Sequence, residues 1–217
     1  MHLLYMKKLA LIGTKEFSEQ IIEFASKTGE YEFVGYFDDF VEKGTIINDK
    51  PVFGKVEEAI GLYQEGVFDS IFIGVGYTRF DIREYYYNML KGKVPFANII
   101  MPTAKIGNNV KLGEGIFIGG GSYIGAGTII EDNVFIHGGS DVGHNNSIGV
   151  HTYISGRFNS AGFCSIGKRN FIGICVIIAD HISITDDVWI GLGCIVAKDI
   201  KQSGKYMSPA AKLYKIE

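Results

Sequence analysis

The sequence predicts a small α/β domain over residues 1–100, a prism of stacked parallel strands over residues 101–200 and a C-terminal tail over residues 201–217. Apolar runs of strand length alternate with helical patterns in the first segment, as they do in βαβ units. Residues 105–200 divide into sixteen hexads without an insertion. The second place of each hexad is Ile, Leu or Val, except for Ser160, and nine hexads have glycine at the third place. Such regularity indicates a stack of similar short units.

A single hexad cannot bury its inward apolar side chain, so the hexads must stack on one another. Three hexads make one triangular coil, and residues eighteen positions apart then lie one above the other. Glycine at the third place predicts a corner whose backbone angles favour glycine. The pattern does not explain Ser160, which interrupts one of three inward columns. That column contains Ile106, Ile124, Val142, Ser160, Ile178 and Val196.

The first hundred residues predict a small, parallel, Rossmann-like sheet covered by helices. The expected elements are strands at Lys8–Ile12, Tyr31–Phe37, Val52–Phe53 and Ser70–Gly74 and helices at Glu16–Lys27, Lys55–Gln64 and Arg79–Leu90. Parallel sheets bind ligands at the carboxyl ends of their strands. Those ends carry Gly13-Thr14-Lys15, Asp38-Asp39 and Gly76-Tyr77-Thr78. The glycine fingerprint of ordinary dinucleotide sites is absent after the first strand. For the two aspartates, the alternative to a ligand-binding role is a solvated turn.

Composition narrows the classes of partner and compartment. The formal net charge is −3 and no basic stripe is present, which argues against a nucleic-acid partner. No apolar run reaches the length of about 18 residues that a membrane span needs. The first residues lack the features of a signal peptide, and three cysteines are an odd number for disulfide pairing, so we expect a cytoplasmic protein.

The hexads resemble the left-handed parallel β-helix of hexapeptide-repeat acyltransferases. A short parallel sheet followed at once by this prism resembles one group in particular: bacterial N-acyltransferases of nucleotide-linked amino sugars, related to sialic acid O-acetyltransferases. The resemblance implies a homotrimer with sites between subunits, an acyl-CoA co-substrate (acetyl-CoA or a longer acyl-CoA) and no metal. It also implies that the first domain binds a UDP- or dTDP-linked sugar. The implied contacts are Gly13, Thr14, Asp38, Asp39, Gly76 and Tyr77.

The same resemblance implies a catalytic base in the prism. The turn Val142-Gly143-His144-Asn145 matches the turn that carries the base of this family, which makes His144 the expected base. Imidazole titrates near neutrality and can take the proton of an attacking amine. Asn145 replaces the acidic residue that often orients the ring in the family. His137 and Asp141 are candidates to assist it.

Acyl-CoA binding is also inferred by resemblance. Tyr153 aligns with a second family histidine that lies near the thioester. Corner glycines, where backbone can approach the pantetheine, are Gly162, Gly173 and Gly191. The segment Ser208–Lys212 resembles the family's terminal motif and would put Pro209 and Lys212 near the adenosine. A tail that caps the open end of the prism is the alternative.

The sequence therefore predicts an acyl-CoA-dependent N-acyltransferase of a nucleotide-linked 4-amino-dideoxy sugar, used for a surface polysaccharide. Transfer to a sugar hydroxyl stays open. A metal-dependent lyase of the hexapeptide carbonic anhydrase kind is a second alternative, suggested by the seven-residue spacing of His137, His144 and His151. These three cannot converge within one subunit, because seven residues lead to a different face. A non-catalytic assembly subunit is the third alternative.

Overall fold

The computed structural model describes residues 6–76 and 79–209. It confirms a small sheet flanked by helices, followed by a three-faced prism. The first domain contains β1 (Lys7–Ile12), α1 (Glu16–Thr28), β2 (Tyr31–Phe37), β3 (Ile46–Ile47), β4 (Lys50–Gly54), a 3₁₀ turn (Val56–Glu58), α2 (Ala59–Gln64), β5 (Ser70–Ile73) and α3 (Phe80–Leu90). These bounds agree with the predicted ones to within a few residues, except that β3 was not anticipated.

The sheet of the first domain has the strand order β3-β4-β2-β1-β5. Strands β2 and β5 both lie parallel to β1, on its two sides, and β4 lies parallel to β2. Only β3 is antiparallel; it joins β4 through a two-residue turn at Asn48 and Asp49, which both have positive φ. The chain leaves β1 towards β2 and later returns to its other side as β5. The carboxyl ends of β1 and β5 therefore form a switch point, where open α/β sheets bind ligands.

The prism has three faces of stacked parallel strands. The first face consists of β6 (Ile99–Ile100), β9 (Phe117–Ile118), β12 (Phe135–Ile136), β15 (Tyr153–Ile154), β18 (Phe171–Ile172), β21 (Val188–Ile190) and β23 (Gly204–Tyr206). The second consists of β7 (Lys105–Ile106), β10 (Tyr123–Ile124), β13 (Asp141–Val142), β16 (Asn159–Ser160), β19 (Ile177–Ile178) and β22 (Ile195–Val196). The third consists of β8 (Lys111–Leu112), β11 (Ile129–Ile130), β14 (Ser147–Ile148), β17 (Ser165–Ile166) and β20 (Ser183–Ile184).

The register of the prism confirms the period of three hexads. Within each face, partners in neighbouring strands are eighteen residues apart, as in the pairing of Tyr123 with Asp141 and of Ile124 with Val142. Second-place side chains form the core, and Ile124, Ile136 and Ile172 are completely buried. β6 already pairs with β9, so the chain enters the prism before residue 101.

The reason given above for the third-place glycines is wrong. Positive φ angles in the prism fall on the fifth place of the hexad, which is Gly, Asn or another residue such as His151 or Phe163. A Cβ atom at third-place Gly125 would lie 2.5 Å from backbone atoms of Gly143 and His144, and one at Gly149 would lie 2.7 Å from the backbone of Gly167. The third place thus favours glycine because successive coils approach closely there, not because its φ is unusual.

Ser160 has a polar partner inside the prism. Its hydroxyl oxygen accepts a hydrogen bond from Asn146 Nδ2 at 2.8 Å and one from the Gly143 N–H at 3.2 Å. The Asn146 amide also donates to the Ala161 carbonyl and accepts from the Cys164 N–H at 2.7 Å. The interruption of the column is therefore half of a buried polar pair, which satisfies the requirement that buried polar groups be hydrogen-bonded.

The two domains share a hydrophobic core along the first face. Phe117, Phe135, Tyr153, Phe171 and Trp189 stack in a ladder of first-place rings with neighbouring centroids 3.8 to 5.9 Å apart. Helix α1 covers the early part of this ladder through Phe17 and Phe24, whose rings lie 5.2 Å from Phe135 and 5.1 Å from Phe117. First-place side chains on this face are thus buried although they point out of the prism.

Two smaller predictions concern thiols and membranes. Cys164, Cys175 and Cys194 are free thiols in the structure. In the part of the chain that the structure describes, no helix combines the length and apolar character needed to cross a bilayer.

Candidate functional site

A cavity of about 480 Å³ opens at the switch point of the first domain. It brings together five of the six residues predicted to bind the nucleotide-linked sugar: Gly13, Thr14, Asp38, Asp39 and Gly76. The sixth, Tyr77, lies outside the described residues. Basic side chains on its wall come from Lys15 and Arg79, and Arg79 also pairs with Asp81 at 3.1 Å.

Hydrogen bonds to uncharged donors hold both aspartates of the cavity. Asp38 accepts from the Thr14 hydroxyl at 2.8 Å and from the Phe40 N–H at 2.9 Å. Asp39 accepts from the Val56 N–H at 2.9 Å and from the Tyr86 hydroxyl at 2.8 Å. Burial, and then the hydrogen bond to Asp39, raise the pKa of Tyr86, so its hydroxyl remains a donor at neutral pH. The carboxylates are fixed in place and keep acceptor capacity for hydroxyl or N–H groups of a ligand.

The loop after β1 leads into the N-terminus of α1 at the cavity. Gly13 has φ of 99°, which a side chain would strain, and Lys15 is the N-cap residue of α1. Ser18 joins the two halves of the switch point, because its hydroxyl donates to the Gly13 carbonyl at 2.8 Å and lies 3.3 Å from the Gly74 carbonyl oxygen. The positive end of α1 therefore lies at the cavity, an arrangement that suits an anion such as a diphosphate.

His144 lies exposed at the corner between β13 and β14. Its Nδ1 is 3.0 Å from Asn145 Oδ1, which can only accept, so Nδ1 donates this bond, and Nε2 has no hydrogen-bond partner among the residues that the structure describes. The ring packs over Gly162, where a Cβ atom would lie 2.7 Å from Nε2, and it meets the Phe163 ring edge-on with centroids 5.0 Å apart. Asn145 tolerates its φ of 56° better than most residues would. The imidazole has the tautomer that a general base needs.

His137 is held at a different corner, between β12 and β13. Its Nε2 is 2.6 Å from the Tyr153 hydroxyl, and burial lowers its pKa. Since His137 and His144 flank opposite ends of β13, the described part of one chain shows no contact between them. Asp141 is exposed on β13 between the two corners. Assistance of His144 by His137 or Asp141 stays a prediction.

One residue of the cavity wall contacts the aromatic ladder of the prism. Phe17 lines the cavity, and its ring centroid lies 6.4 Å from that of Tyr153. Tyr153, predicted to lie near the acyl group, is almost completely buried in the aromatic ladder. This contact lies on the first face of the prism, whereas His144 lies at the corner between the second and third faces.

The glycines predicted to approach acyl-CoA all have a packing role as well. Gly162 makes room for the His144 ring. A Cβ at Gly173 would lie 2.7 Å from the backbone of Gly191, and one at Gly191 would lie 2.7 Å from Met207 Sδ. Pro209 is exposed after the last strand, and Lys212 lies outside the described residues. Their roles towards acyl-CoA stay predictions.

Several polar residues of the structure were not anticipated. His151 was expected to be near His137 and His144 only in sequence, and it is in fact buried between the domains, with Nδ1 2.9 Å from Asn133 Nδ2 and its ring edge-on to Tyr87. Arg83 is completely buried beside it. Among the described residues, no group of three or more His, Cys, Asp or Glu side chains has the geometry of a metal site.

Comparison with known proteins supports both halves of this description. The family model of the PglD N-terminal domain matches residues 8–90. PerB from Caulobacter crescentus, solved in complex with CoA and GDP-perosamine, is 24% identical over 98% of this chain and 99% of its own, with a TM-score of 0.81. The chain has the fold of the hexapeptide-repeat sugar acyltransferases. The predicted resemblance and the fold class, including the left-handed β-helix, are thereby confirmed.

A second solved structure gives the same result. The acetyltransferase domain of PglB from Neisseria gonorrhoeae FA1090 is 23% identical over 95% of this chain and 100% of its own, with a TM-score of 0.79. The same domain has also been solved with acetyl coenzyme A, at a TM-score of 0.78. No curated protein matches the chain by sequence.

Proposed function

We propose that the protein is an acyl-CoA-dependent N-acyltransferase that acts on the amino group of a nucleotide-linked 4-amino-dideoxy sugar. The observation that carries the proposal is the state of His144: an exposed imidazole at a prism corner, with Nδ1 committed to Asn145 and Nε2 free. The similar structures support the class of substrate, since PerB was solved with CoA and GDP-perosamine.

The proposed reaction uses His144 as general base. Its Nε2 takes a proton from the sugar amine as the amine nitrogen attacks the thioester carbonyl carbon. A backbone N–H of the glycine-rich corner donates to the oxyanion of the tetrahedral intermediate. The C–S bond then breaks, the sulfur leaves with the proton that the imidazolium returns, and the products are an amide and free CoA. Asn145 orients the ring, but its neutral amide stabilises the imidazolium less than a carboxylate would.

The proposed sugar ligand binds in the cavity of the first domain. Asp38 and Asp39 would accept hydrogen bonds from the base or ribose, and the positive end of α1 would lie near the diphosphate. UDP and dTDP are the proposed nucleotides, and GDP is the nucleotide of the PerB complex. Acyl-CoA would lie along the later coils, near Gly173 and Gly191.

We further propose that the working unit is a homotrimer. Phe17 of the cavity wall contacts the first face of the prism, whereas His144 lies between the second and third faces, so the His144 that meets the ligand of one chain would come from a neighbouring chain. Apolar side chains on the second face support an interface there: Ile177 and Ile195 are paired in register and are 47% and 74% exposed. Cyclic symmetry would repeat this contact three times. A cytoplasmic location and a role in surface polysaccharide synthesis belong to the same proposal.

The first experiment is a thermal-shift screen against acetyl-CoA, longer acyl-CoAs, and UDP-, dTDP- and GDP-linked amino sugars. Ligands that bind the native state raise the melting temperature. Pairs that stabilise the protein are then assayed for transfer, and hydroxylamine treatment of the product separates a stable amide from a labile ester. Absence of any stabilising acyl-CoA contradicts the proposal, and an ester product replaces N-acylation with O-acylation.

The matched variant is Asp38→Ala. Because Asp38 lines the cavity of the first domain, we expect a higher KM for the nucleotide-linked sugar and an unchanged KM for acyl-CoA. A change confined to the KM for acyl-CoA would mean that acyl-CoA, and not the nucleotide-linked sugar, binds in the cavity of the first domain. Light scattering on the same samples measures the oligomeric mass. A mass of 23.9 kDa at micromolar concentration, which is that of a monomer, would contradict a site shared between subunits.

A further inference from the structure

Arg83 of α3 is a completely buried cation beside the wall of the sugar cavity. Its side chain is 1% exposed, and no carboxylate pairs with it among the residues that the structure describes. Burial lowers its pKa to about 10, so the guanidinium stays charged at neutral pH. A buried charge without a carboxylate partner is costly, and apolar residues of similar volume often replace buried charges without loss of stability. The presence of Arg83 therefore calls for a role beyond packing.

The guanidinium binds to three separate parts of the molecule. Nη1 donates to the Val75 carbonyl at 2.8 Å and to the Ile73 carbonyl at 3.2 Å. Ile73 ends β5, and Val75 lies on the wall of the cavity. Nη2 donates to Asn133 Oδ1 at 2.6 Å, on a corner of the prism. One side chain of α3 therefore connects the loop that lines the cavity to the prism.

The prism end of this connection has a fixed orientation. Because Asn133 Oδ1 accepts from Arg83, its Nδ2 is the group that faces His151 Nδ1, at 2.9 Å, and donates to it. The Asn133 N–H donates to the Glu114 carbonyl at 2.8 Å, so the backbone of the acceptor is anchored as well. By contrast, Arg83 Nε has no partner among the described residues. The guanidinium is thus oriented so that Nη1 and Nη2 donate to the two carbonyls and to Asn133, although this orientation leaves Nε without a partner in the described part of the chain.

We propose that Arg83 is a positioning residue: it holds the Gly74–Gly76 wall of the cavity in a fixed place relative to the prism, so that a nucleotide-linked sugar in the cavity is aligned with the acyl-transfer site. This inference rests on the proposed function. Without Arg83, the Ile73 and Val75 carbonyls lose their charged donor, and the wall of the cavity is no longer tied to Asn133. Acyl-CoA, which is proposed to bind along the later coils, does not depend on this wall.

The test compares Arg83→Met with Arg169→Met. The first removes the donors and keeps an unbranched side chain of similar length. The control removes another contact between the domains, since Arg169 lies 3.5 Å from Glu84 of α3 and 2.7 Å from Asp187, but it does not touch the cavity wall. The probes are UDP, dTDP and GDP, measured by calorimetry, together with both KM values and the melting temperature of each variant.

Arg83→Met is expected to raise the dissociation constant of the nucleotide that binds wild-type protein by about tenfold, as expected for the loss of charge-assisted hydrogen bonds. The KM for the sugar substrate should rise in parallel, that for acyl-CoA should stay constant, and Arg169→Met should bind like wild type. A merely structural role would lower the melting temperature and leave the dissociation constant and both KM values of the folded fraction unchanged, which would overturn the proposal.

A second variant covers the case in which Arg83→Met does not fold. Asn133→Gly removes the side-chain acceptor on the prism, leaves only the Asn133 carbonyl at 3.4 Å from Nη2, and suits the positive φ of 54° at that position. It should raise the nucleotide dissociation constant less than Arg83→Met would, and an unchanged constant in folded Asn133→Gly protein overturns the proposal. If wild-type protein binds none of the three nucleotides, the proposed function fails. If it binds one and the variants bind it equally well, only the positioning role fails.

Discussion

The prism and the first domain reach their folds from the sequence in different ways. In the prism, each hexad pairs with the hexad eighteen residues away. An inward isoleucine such as Ile124 therefore contacts residues that the repeat itself specifies. In the first domain, the sheet brings the Thr14 hydroxyl within 2.8 Å of the Asp38 carboxylate, and no sequence repeat predicts the strand order of that sheet. The prism is thus a repetitive scaffold with one distinct corner at His144, and the first domain is an irregular sheet with a distinct cavity. The following predictions test this difference.

The largest effect is expected at the distinct corner. Because His144 is proposed to act in the transition state, His144→Asn should lower kcat by roughly 10²- to 10⁴-fold and leave both KM values nearly unchanged. The measurement is steady-state kinetics with each substrate varied in turn. His181→Asn is the control, since His181 is another exposed corner histidine, and its own φ of 59° is one that Asn tolerates.

The control should keep most of its activity. If His144→Asn remains active while His137→Asn is inactive, the base lies at the His137 corner and the assignment is wrong.

Substitution of a third-place glycine should lower the stability of the prism in any coil, because the next coil approaches closely there. Gly149→Ala places a Cβ 2.7 Å from the backbone of the next coil, and we expect a loss of about 1–3 kcal/mol in unfolding free energy, as for other overpacked sites. Gly121→Asn is the comparison, because the fifth place has positive φ and no atom lies within 4 Å of a Cβ there. Urea unfolding measures both, and equal losses would contradict the distinction between the two places.

Ser160→Val restores the apolar pattern of the inward column and should nevertheless destabilise the prism. It leaves one N–H of the buried Asn146 amide without its acceptor, which costs about 1–2 kcal/mol, while the Gly143 N–H keeps its bond to the Ser160 carbonyl at 3.0 Å. Ser160→Ala is the control that removes the hydroxyl without adding volume. A Ser160→Val protein more stable than wild type would show that burial in the column outweighs the polar pair.

The smallest effect at neutral pH concerns His151, between the domains. Burial, followed by the charges of Arg83 and Arg169, lowers its pKa to about 4, below the ordinary value of 6.5. The unfolded chain therefore binds a proton that the folded chain does not as the pH falls from 6.5 to 4, so stability falls through this window. His151→Asn, at a position with φ of 61°, should make the acid side of the stability profile flatter. Urea unfolding at pH 7, 6, 5 and 4.5 checks this, and parallel profiles for variant and wild type would contradict it.

The sequence by itself determined the fold of the prism, because its period is a local property that any stacked arrangement must satisfy. Second-place Ile and Val residues had to point inward, and His144 and Asn145 had to share a corner, since both follow from position within a hexad. The sequence also indicated the strand ends of the first domain, and with them Gly13, Asp38 and Gly76 of the cavity.

Only the tertiary structure decided which groups meet across elements. The close approach of coils at Gly125 and Gly149 and the pairing of Ser160 with Asn146 depend on three-dimensional distances that no spacing encodes. Arg83 looked like an ordinary helix residue in the sequence. It is buried because α3 packs where the cavity wall and the prism meet. The carbonyls of Ile73 and Val75 come within hydrogen-bonding distance once the first domain has folded, and Asn133 does so only once the prism packs against it.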